Sequence, residues 1–323
     1  MRRRLVLAAA ATGLASIARA QSPLPRIAYL SGRSAATDTH LLDAFLDGLK
    51  STGFVDGQNV TVDVRWADGR YGEMPRLATE VVAIKPDLIV AVGGNPAGIA
   101  VKAATKTIPI LFGAGADPTK IGLVENLNRP DGNLTGMTLW ANELDAKRLD
   151  LLHDMLPAAR SVAVLMNPLN PGYEELLPRT RETADALGLH LELLTASTSS
   201  EIERAFRSLS AGKVDALAVG ADAFLINLRA RILALTSERR LPAIFPAREF
   251  AVEGGLASYG TRWADMYRIL GTYAGRLLKG AKVVELPVQR PATYELVINL
   301  QTAKSLGLEL PPIILSRADE LIE

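Results

Sequence analysis

Small and polar residues in this sequence gather where short apolar runs end. Ser31-Gly32 follows Ile27–Leu30, Asn95-Pro96-Ala97 lies just past Leu88–Val92, Gly113-Ala114 follows Ile108–Phe112, and Thr138 follows Leu134–Met137. Later in the chain Asn167, Asp222-Ala223-Phe224 and Arg248-Glu249 hold the same kind of position. Hydroxyls and unpaired backbone amides at such tips suit a carboxylate or another polar group. Asp117, Asp222 and Glu249 are acids able to hold an ammonium, and Trp140, Tyr173, Phe224 and Tyr259 are available as an aromatic wall. This is binding chemistry. Plainer roles stand beside it: Asn95 and Asp222 as helix caps, Gly113 as a turn residue, Phe224 as core.

Signatures of catalysis do not occur. Neither Gly93–Gly98 nor Gly113–Pro118 has the G-x-G-x-x-G spacing of a dinucleotide site, and there is no Walker loop and no G-x-S-x-G elbow. The chain has no cysteine, which excludes thiolate metal sites, thiol catalysis and disulfides together. His40, His153 and His190 fall within or at the edges of predicted elements, away from the run ends, where packing or surface roles fit better than metal binding. No catalytic residue, metal ligand or cofactor is expected.

The elements that must position these residues occur twice. A lone Asp precedes an apolar run, a Gly and a cap-type residue at Asp87, Gly93 and Asn95, and again at Asp215, Gly220 and Asp222. Around them Arg26–Ser31 answers Ser161–Met166, Ile108–Ala114 answers Leu241–Ala247, and Gly132–Gly136 answers Gly254–Ser258. Offsets between 122 and 135 positions are those of a repeated domain rather than a solenoid. Apolar runs bounded by Gly read as buried parallel strands, and the segments between them carry helical spacing, as in Leu41, Leu42, Phe45, Leu46 and Leu49.

The expected fold class is therefore α/β, with two Rossmann-like doubly wound lobes joined by a hinge and the run ends facing a cleft between them. Residues 117–127 read as a short helix, 134–140 as a crossing between lobes, 222–239 as one helix, and 262–279 as a helix returning to the first lobe. Lobe one is expected to comprise 21–139 plus 262–286, and lobe two 140–261 plus 287–323.

Bulk composition agrees with a folded, exported protein. Apolar residues make up 48% and charged residues 22% of the chain, which argues against disorder. Met1-Arg-Arg-Arg4, the apolar stretch Leu5–Ile17 and Ala18-Arg19-Ala20 form a signal peptide expected to be cleaved after Ala20, with the paired arginines leaving a twin-arginine route open. Without residues 1–20 the balance is 32 basic against 35 acidic residues, a net charge of −3. No basic block survives, so neither nucleic acid nor an acidic membrane surface is an expected partner, and no later run is long enough to span a bilayer.

Several strings resemble the ABC-transporter substrate-binding proteins of the tryptophan/tyrosine-binding type. These are Gly57-Gln-Asn-Val60, Arg65-Trp-Ala-Asp-Gly-Arg-Tyr71, Ile108-Pro-Ile110, Asn128-Arg-Pro-Asp-Gly-Asn-Leu-Thr-Gly136, Ala146–Leu152, Arg248-Glu-Phe250, Ser258-Tyr-Gly260, Leu286-Pro-Val-Gln289 and Glu295–Gly307. The resemblance implies a type I periplasmic-binding-protein fold with three crossings, closure around a small ligand, and a periplasmic monomer serving an ABC permease with its ATPase. An aromatic amino acid or related aromatic carboxylate is the ligand it implies. Relatives commonly carry Thr-Pro at the third-strand tip, where this chain has Gly94-Asn95-Pro96. A ligand-sensing partner of a membrane receptor would share the same fold and cleft; a periplasmic α/β enzyme would need a catalytic pair that the sequence lacks.

Overall fold

A computed structural model of the chain describes residues 23–139, 141–209, 214–290 and 293–323. The expected signal peptide and Trp140 lie outside the described residues.

The first lobe is built from β1 (Arg26–Ser31), α1 (Ala35–Ser51), β2 (Thr61–Trp66), α2 (Met74–Ala83), β3 (Leu88–Val92), α3 (Asn95–Ala104), β4 (Ile110–Ala114) and β5 (Leu134–Thr138). Its five strands run parallel in the order β2-β1-β3-β4-β5. The second lobe comprises α4 (Ala141–Met155), β6 (Ser161–Met166), α5 (Tyr173–Ala186), β7 (His190–Thr195), α6 (Ser199–Ser208), β8 (Ala216–Val219), α7 (Ala223–Asn227), α8 (Arg229–Glu238), β9 (Ala243–Phe245), α9 (Arg248–Val252) and β10 (Ala257–Thr261). Here the order β7-β6-β8-β9-β10 repeats that of the first sheet. The chain then forms α10 (Trp263–Leu278), β11 (Tyr294–Asn299), α11 (Leu300–Leu306), α12 (Pro312–Leu315) and β12 (Glu320–Ile322). β11 joins the second sheet antiparallel to β10, with β12 beside it. This is the two-lobed α/β arrangement of type I periplasmic binding proteins.

β3 and β4 are buried along their whole length, which is why they read as unbroken apolar runs. The lone aspartates of the repeat hold neighbouring strands in register. Asp87 Oδ2 accepts the Arg26 N–H at 2.7 Å, and Asp215 Oδ2 accepts those of Arg160 and Ser161 at 2.7 and 2.9 Å. These backbone bonds hold the Asp215 carboxyl below its ordinary range.

α10 packs on α1 in the first lobe, with Tyr267 and Leu270 set against Phe45. Glycine makes this contact possible. A Cβ on Gly48 would lie 1.9 Å from the Arg268 carbonyl oxygen, and one on Gly271 would lie 2.0 Å from that of Phe45. Two backbones in contact leave no room for a methyl group.

Four expectations are corrected. Residues 117–127 form turns rather than a helix, because Asp117 Oδ1 takes both the backbone and the hydroxyl of Thr119 and Gly122 turns to a φ of 70°. Residues 134–138 are an edge strand of the first sheet, β5, not a crossing. The pattern over 222–239 is two helices meeting at Leu228. Residues 288–289, expected in the second lobe, hydrogen-bond to the first: Val288 N–H to Leu127, and Gln289 N–H to Gly136.

Gly48→Ala should lower stability by about 1–3 kcal/mol through overpacking, seen as a lower midpoint in urea with unchanged slope. An unaltered midpoint would mean the two helices separate without cost.

Candidate functional site

In both sheets the strand order reverses direction between the first strand and the third, and crevices in such sheets open where the strand ends diverge. The first-lobe tips are Ser31–Arg33 and Gly93–Asn95; the second-lobe tips are Asn167–Asn170 and Gly220–Asp222. They meet around a small chamber of about 30 Å³ lined by Arg33, Gly94, Asn95, Asn170, Asp222 and Trp263, with apolar faces from Leu139 and Ile226. Gly93 and Gly94, at φ of 74° and 126°, turn the chain sharply into α3. The turn also brings backbone against backbone, since a Cβ on Gly32 would lie 2.3 Å from the Gly93 carbonyl oxygen.

Asp222 joins the two walls. Its Oδ1 accepts the Phe224 and Leu225 N–H groups at 3.0 and 3.3 Å, capping α7, and the Asn167 amide at 3.0 Å. Its Oδ2 accepts the Asn170 amide at 2.9 Å and, from the other lobe, the Tyr71 hydroxyl at 2.5 Å. Burial pushes the Asp222 carboxyl up against the pull of these donors. Burial, and then the charge of Asp222, push the Tyr71 phenol well above its ordinary value, so the bridging proton stays on tyrosine. Beside this pair Asn95 Oδ1 accepts Gly115 and Ala116 N–H at 2.8 and 3.1 Å, while its amide crosses to Asn170 Oδ1 at 3.0 Å.

A charged cluster lies behind the chamber. Arg33, 1% exposed, donates to Asp38 at 2.7 Å, and its guanidinium carbon sits 4.1 Å from the centre of the Trp263 ring. The Asp38 backbone leaves helical geometry, at φ −133° within α1. Two ion pairs span the lobes nearer the surface, His40 with Glu249 at 3.1 Å and Lys120 with Glu175 at 2.5 Å. The hydrogen bond that His40 donates to the Glu249 carboxylate raises the His40 pKa. Burial alone would raise Glu249, but His40 and the charge of Arg33 outweigh it and hold the carboxyl low.

Of the residues singled out in the sequence, Asn95, Gly113 and Asp222 line the chamber. Asn167 and Phe224 line a larger open pocket on the far side of the Tyr71–Asp222 bond, about 520 Å³, together with Tyr71, Ser197 and Asn227. Ser31 and Gly32 shape the first tip from behind, Ser31 Oγ accepting the Arg33 N–H at 3.1 Å. The others lie elsewhere. Ala97 and Ala114 are core, and Pro96 faces an outer groove. Asp117 is spent on its own turn, and Thr138 donates to the Ala116 carbonyl at 3.0 Å. Tyr173 packs at the base of α5 and Tyr259 lies 6.3 Å from Tyr294 on the sheet. Arg248 binds Glu320 and Glu295 instead of reaching the cleft, and Glu249 is committed to His40. Arg33, Tyr71, Asn170 and Trp263 were not singled out. The spacing Asn167-x-x-Asn170, the position of Arg33 two residues past Ser31 and the place of Tyr71 at the end of the string Arg65–Tyr71 are the sequence signals for three of them.

A family model described as ABC transporter substrate binding protein matches residues 34–322. The chain is 29% identical over 265 residues to a tyrosine-binding protein of Clostridioides difficile, covering 82% of this chain and 76% of the relative. It is similar to a crystal structure of an ABC domain from Streptococcus pneumoniae in complex with L-Trp, at 25% identity and a TM-score of 0.84, covering 93% of this chain and 100% of that one. It also matches the ligand-free, open structure of a substrate-binding protein with adhesive properties from Clostridium difficile, at 26% identity, covering 93% and 99%, with a TM-score of 0.66. In this structure the lobes touch through the Tyr71–Asp222 and Asn95–Asn170 hydrogen bonds.

Because the pair His40–Glu249 spans the lobes, closure is expected to be proton-linked. A raised histidine contributes fully below its ordinary value of about 6.5 and its contribution disappears as pH climbs through the raised one. A depressed carboxyl contributes above the ordinary glutamate range and is lost as pH falls through its own lowered value. Arg33 opposes the charging of His40, and Asp38 favours it. Ligand affinity should therefore fall roughly two- to fivefold between about pH 6 and pH 8.5, a small effect because His40 is half-exposed. His40→Gln should flatten that slope in titration calorimetry; the same slope in the variant would assign it to another group.

Proposed function

The chain belongs to the ABC transporter substrate-binding protein family, and we propose that it is the periplasmic solute-binding component of an ABC importer. In this reading it captures a small organic solute between its lobes and presents the closed form to a permease driven by its ATPase. The observation that carries it is the chamber at the switch points of both sheets, closed by Tyr71–Asp222 and Asn95–Asn170 from opposite lobes. A solute touching both walls favours closure by its differential affinity for the closed form, and the three crossings act as the hinge. The aromatic surfaces of Trp263 and Tyr71, with the ligands named for the relatives, favour an aromatic amino acid or a related aromatic carboxylate. Export with cleavage after Ala20 and a monomeric mature chain complete the proposal.

The chain's lack of cysteine makes closure testable. A Cβ on Gly172 of the second lobe would lie 3.2 Å from that of Ala116 in the first, a few tenths of an ångström closer than the roughly 3.5–4.5 Å of a disulfide, so a slight parting of the lobes brings the pair to bonding distance. Ala116→Cys with Gly172→Cys should oxidise to a single cross-lobe bond that traps bound solute and, when formed on empty protein, blocks uptake until reduced. In the unlocked chain a solute at about 100 times its Kd should add about 2.7 kcal/mol of stability. A locked protein that still exchanges solute freely, or a broad solute library without a thermal shift, would sink the proposal.

A further inference from the structure

The chamber has side-chain donors to spare and no spare side-chain acceptors. Asp222 takes five hydrogen bonds on its two oxygens, as set out above. Asn95 Oδ1 takes two backbone N–H groups, and Asn170 Oδ1 takes the Asn95 amide and the Gly172 N–H at 2.9 Å. On the opposite side Arg33 Nε and Trp263 Nε1 are buried with no hydrogen-bond partner among the described residues. Both side chains line the chamber, stacked on one another. A buried N–H without an acceptor is costly, and a ligand that supplies one recovers that cost.

Charge narrows the ligand further. Asp38, paired with Arg33 at 2.7 Å, cancels the long-range field of the guanidinium but leaves Nε–H as a local, charge-assisted donor. An ammonium entering with the acceptor group would meet a wall whose side-chain oxygens are already committed. Glu249 has one unpartnered oxygen, Oε2, but is not among the residues lining the chamber.

The chamber as it stands, about 30 Å³, must widen by parting of the lobes to admit a solute. We propose that it then takes a carboxylate that lacks an α-ammonium group, its oxygens held by Arg33 Nε–H and Trp263 Nε1–H and its apolar body lying against Leu139, Ala223 and Ile226. This rests on the solute-binding reading and divides its two favoured ligand classes. The amino-acid class requires an ammonium site, and the carboxylate class requires the two donors that the chamber holds.

The test is titration calorimetry on the purified chain with matched pairs: indolepropionate against L-tryptophan, phenylpropionate against L-phenylalanine, hydroxyphenylpropionate against L-tyrosine, and aliphatic acids against their amino counterparts. At least one acid should bind, with its amino counterpart at least about tenfold weaker. Trp263→Phe, which keeps an aromatic ring for the stack and removes the N–H, should weaken the acid by about tenfold. The double variant Arg33→Met with Asp38→Asn removes the donor without stranding a buried carboxylate and should do the same. Amino acids binding as tightly as the acids, or acids binding both variants unchanged, would overturn the inference. Failure of every pair also overturns it, and the cross-lobe disulfide then separates two cases. If the locked protein retains a solute carried through purification, only this ligand class is wrong; if it retains none, the solute-binding reading falls too.

Discussion

The closed form of this protein turns on one buried carboxylate. Asp222 caps its own helix, orders the second-lobe tip through Asn167 and Asn170, and receives a hydroxyl from the opposite lobe. A carboxylate so far from water is tolerable only because its hydrogen bonds are so complete. The cap and the clasp are the same group, so the structural and functional readings of Asp222 do not compete. A residue that must cap α7 in any conformation is also where it can accept Tyr71 when the lobes close.

The two lobes share a strand order, and the repeated aspartates show why the motif recurs. Asp87 and Asp215 sit at the start of the third strand in their sheets and bind the backbone at the start of the first. The register between those two strands decides which residues reach the tips, and so which face the cleft. Beyond this shared frame the lobes diverge. The first contributes the glycine turn, Asn95 and the Arg33–Trp263 stack; the second contributes Asn167, Asn170 and Asp222. The chamber is therefore asymmetric, with its unpaired donors confined to the first-lobe wall.

Closure is distributed over contacts of different strength. The inner bonds, Tyr71–Asp222 and Asn95–Asn170, are shielded from water, whereas His40–Glu249 and Lys120–Glu175 lie nearer solvent, where ion pairs are worth little. That gradient suits a protein that must open again: no single outer contact is strong enough to hold the lobes shut, and the inner ones form only once the walls have met.

Much of the frame was legible before any coordinates. Strand runs such as Leu88–Val92, the internal repeat and the cap residue Asp222 follow from local rules, since burial on both faces makes a run wholly apolar and a helix start needs an acceptor. Those rules act over a few residues and so can be read from a few residues. Asn95, read from the same pattern as a cap, instead spends its side chain on Gly115, Ala116 and Asn170, and Gly94 holds the cap position. The segment 117–127 was misread because one side chain, Asp117, satisfied its neighbours locally and removed the need for a helix. Arg33, Tyr71, Asn170 and Trp263 meet in the site only through the folding of distant segments, and Arg248 leaves it because Glu295 and Glu320 arrive from the chain end. By itself the sequence determined the strands, their doubling and the kind of residue at each tip. Tertiary structure decided which tips face each other, because the pairing of polar groups across a cleft depends on the orientation of two lobes that no local pattern encodes.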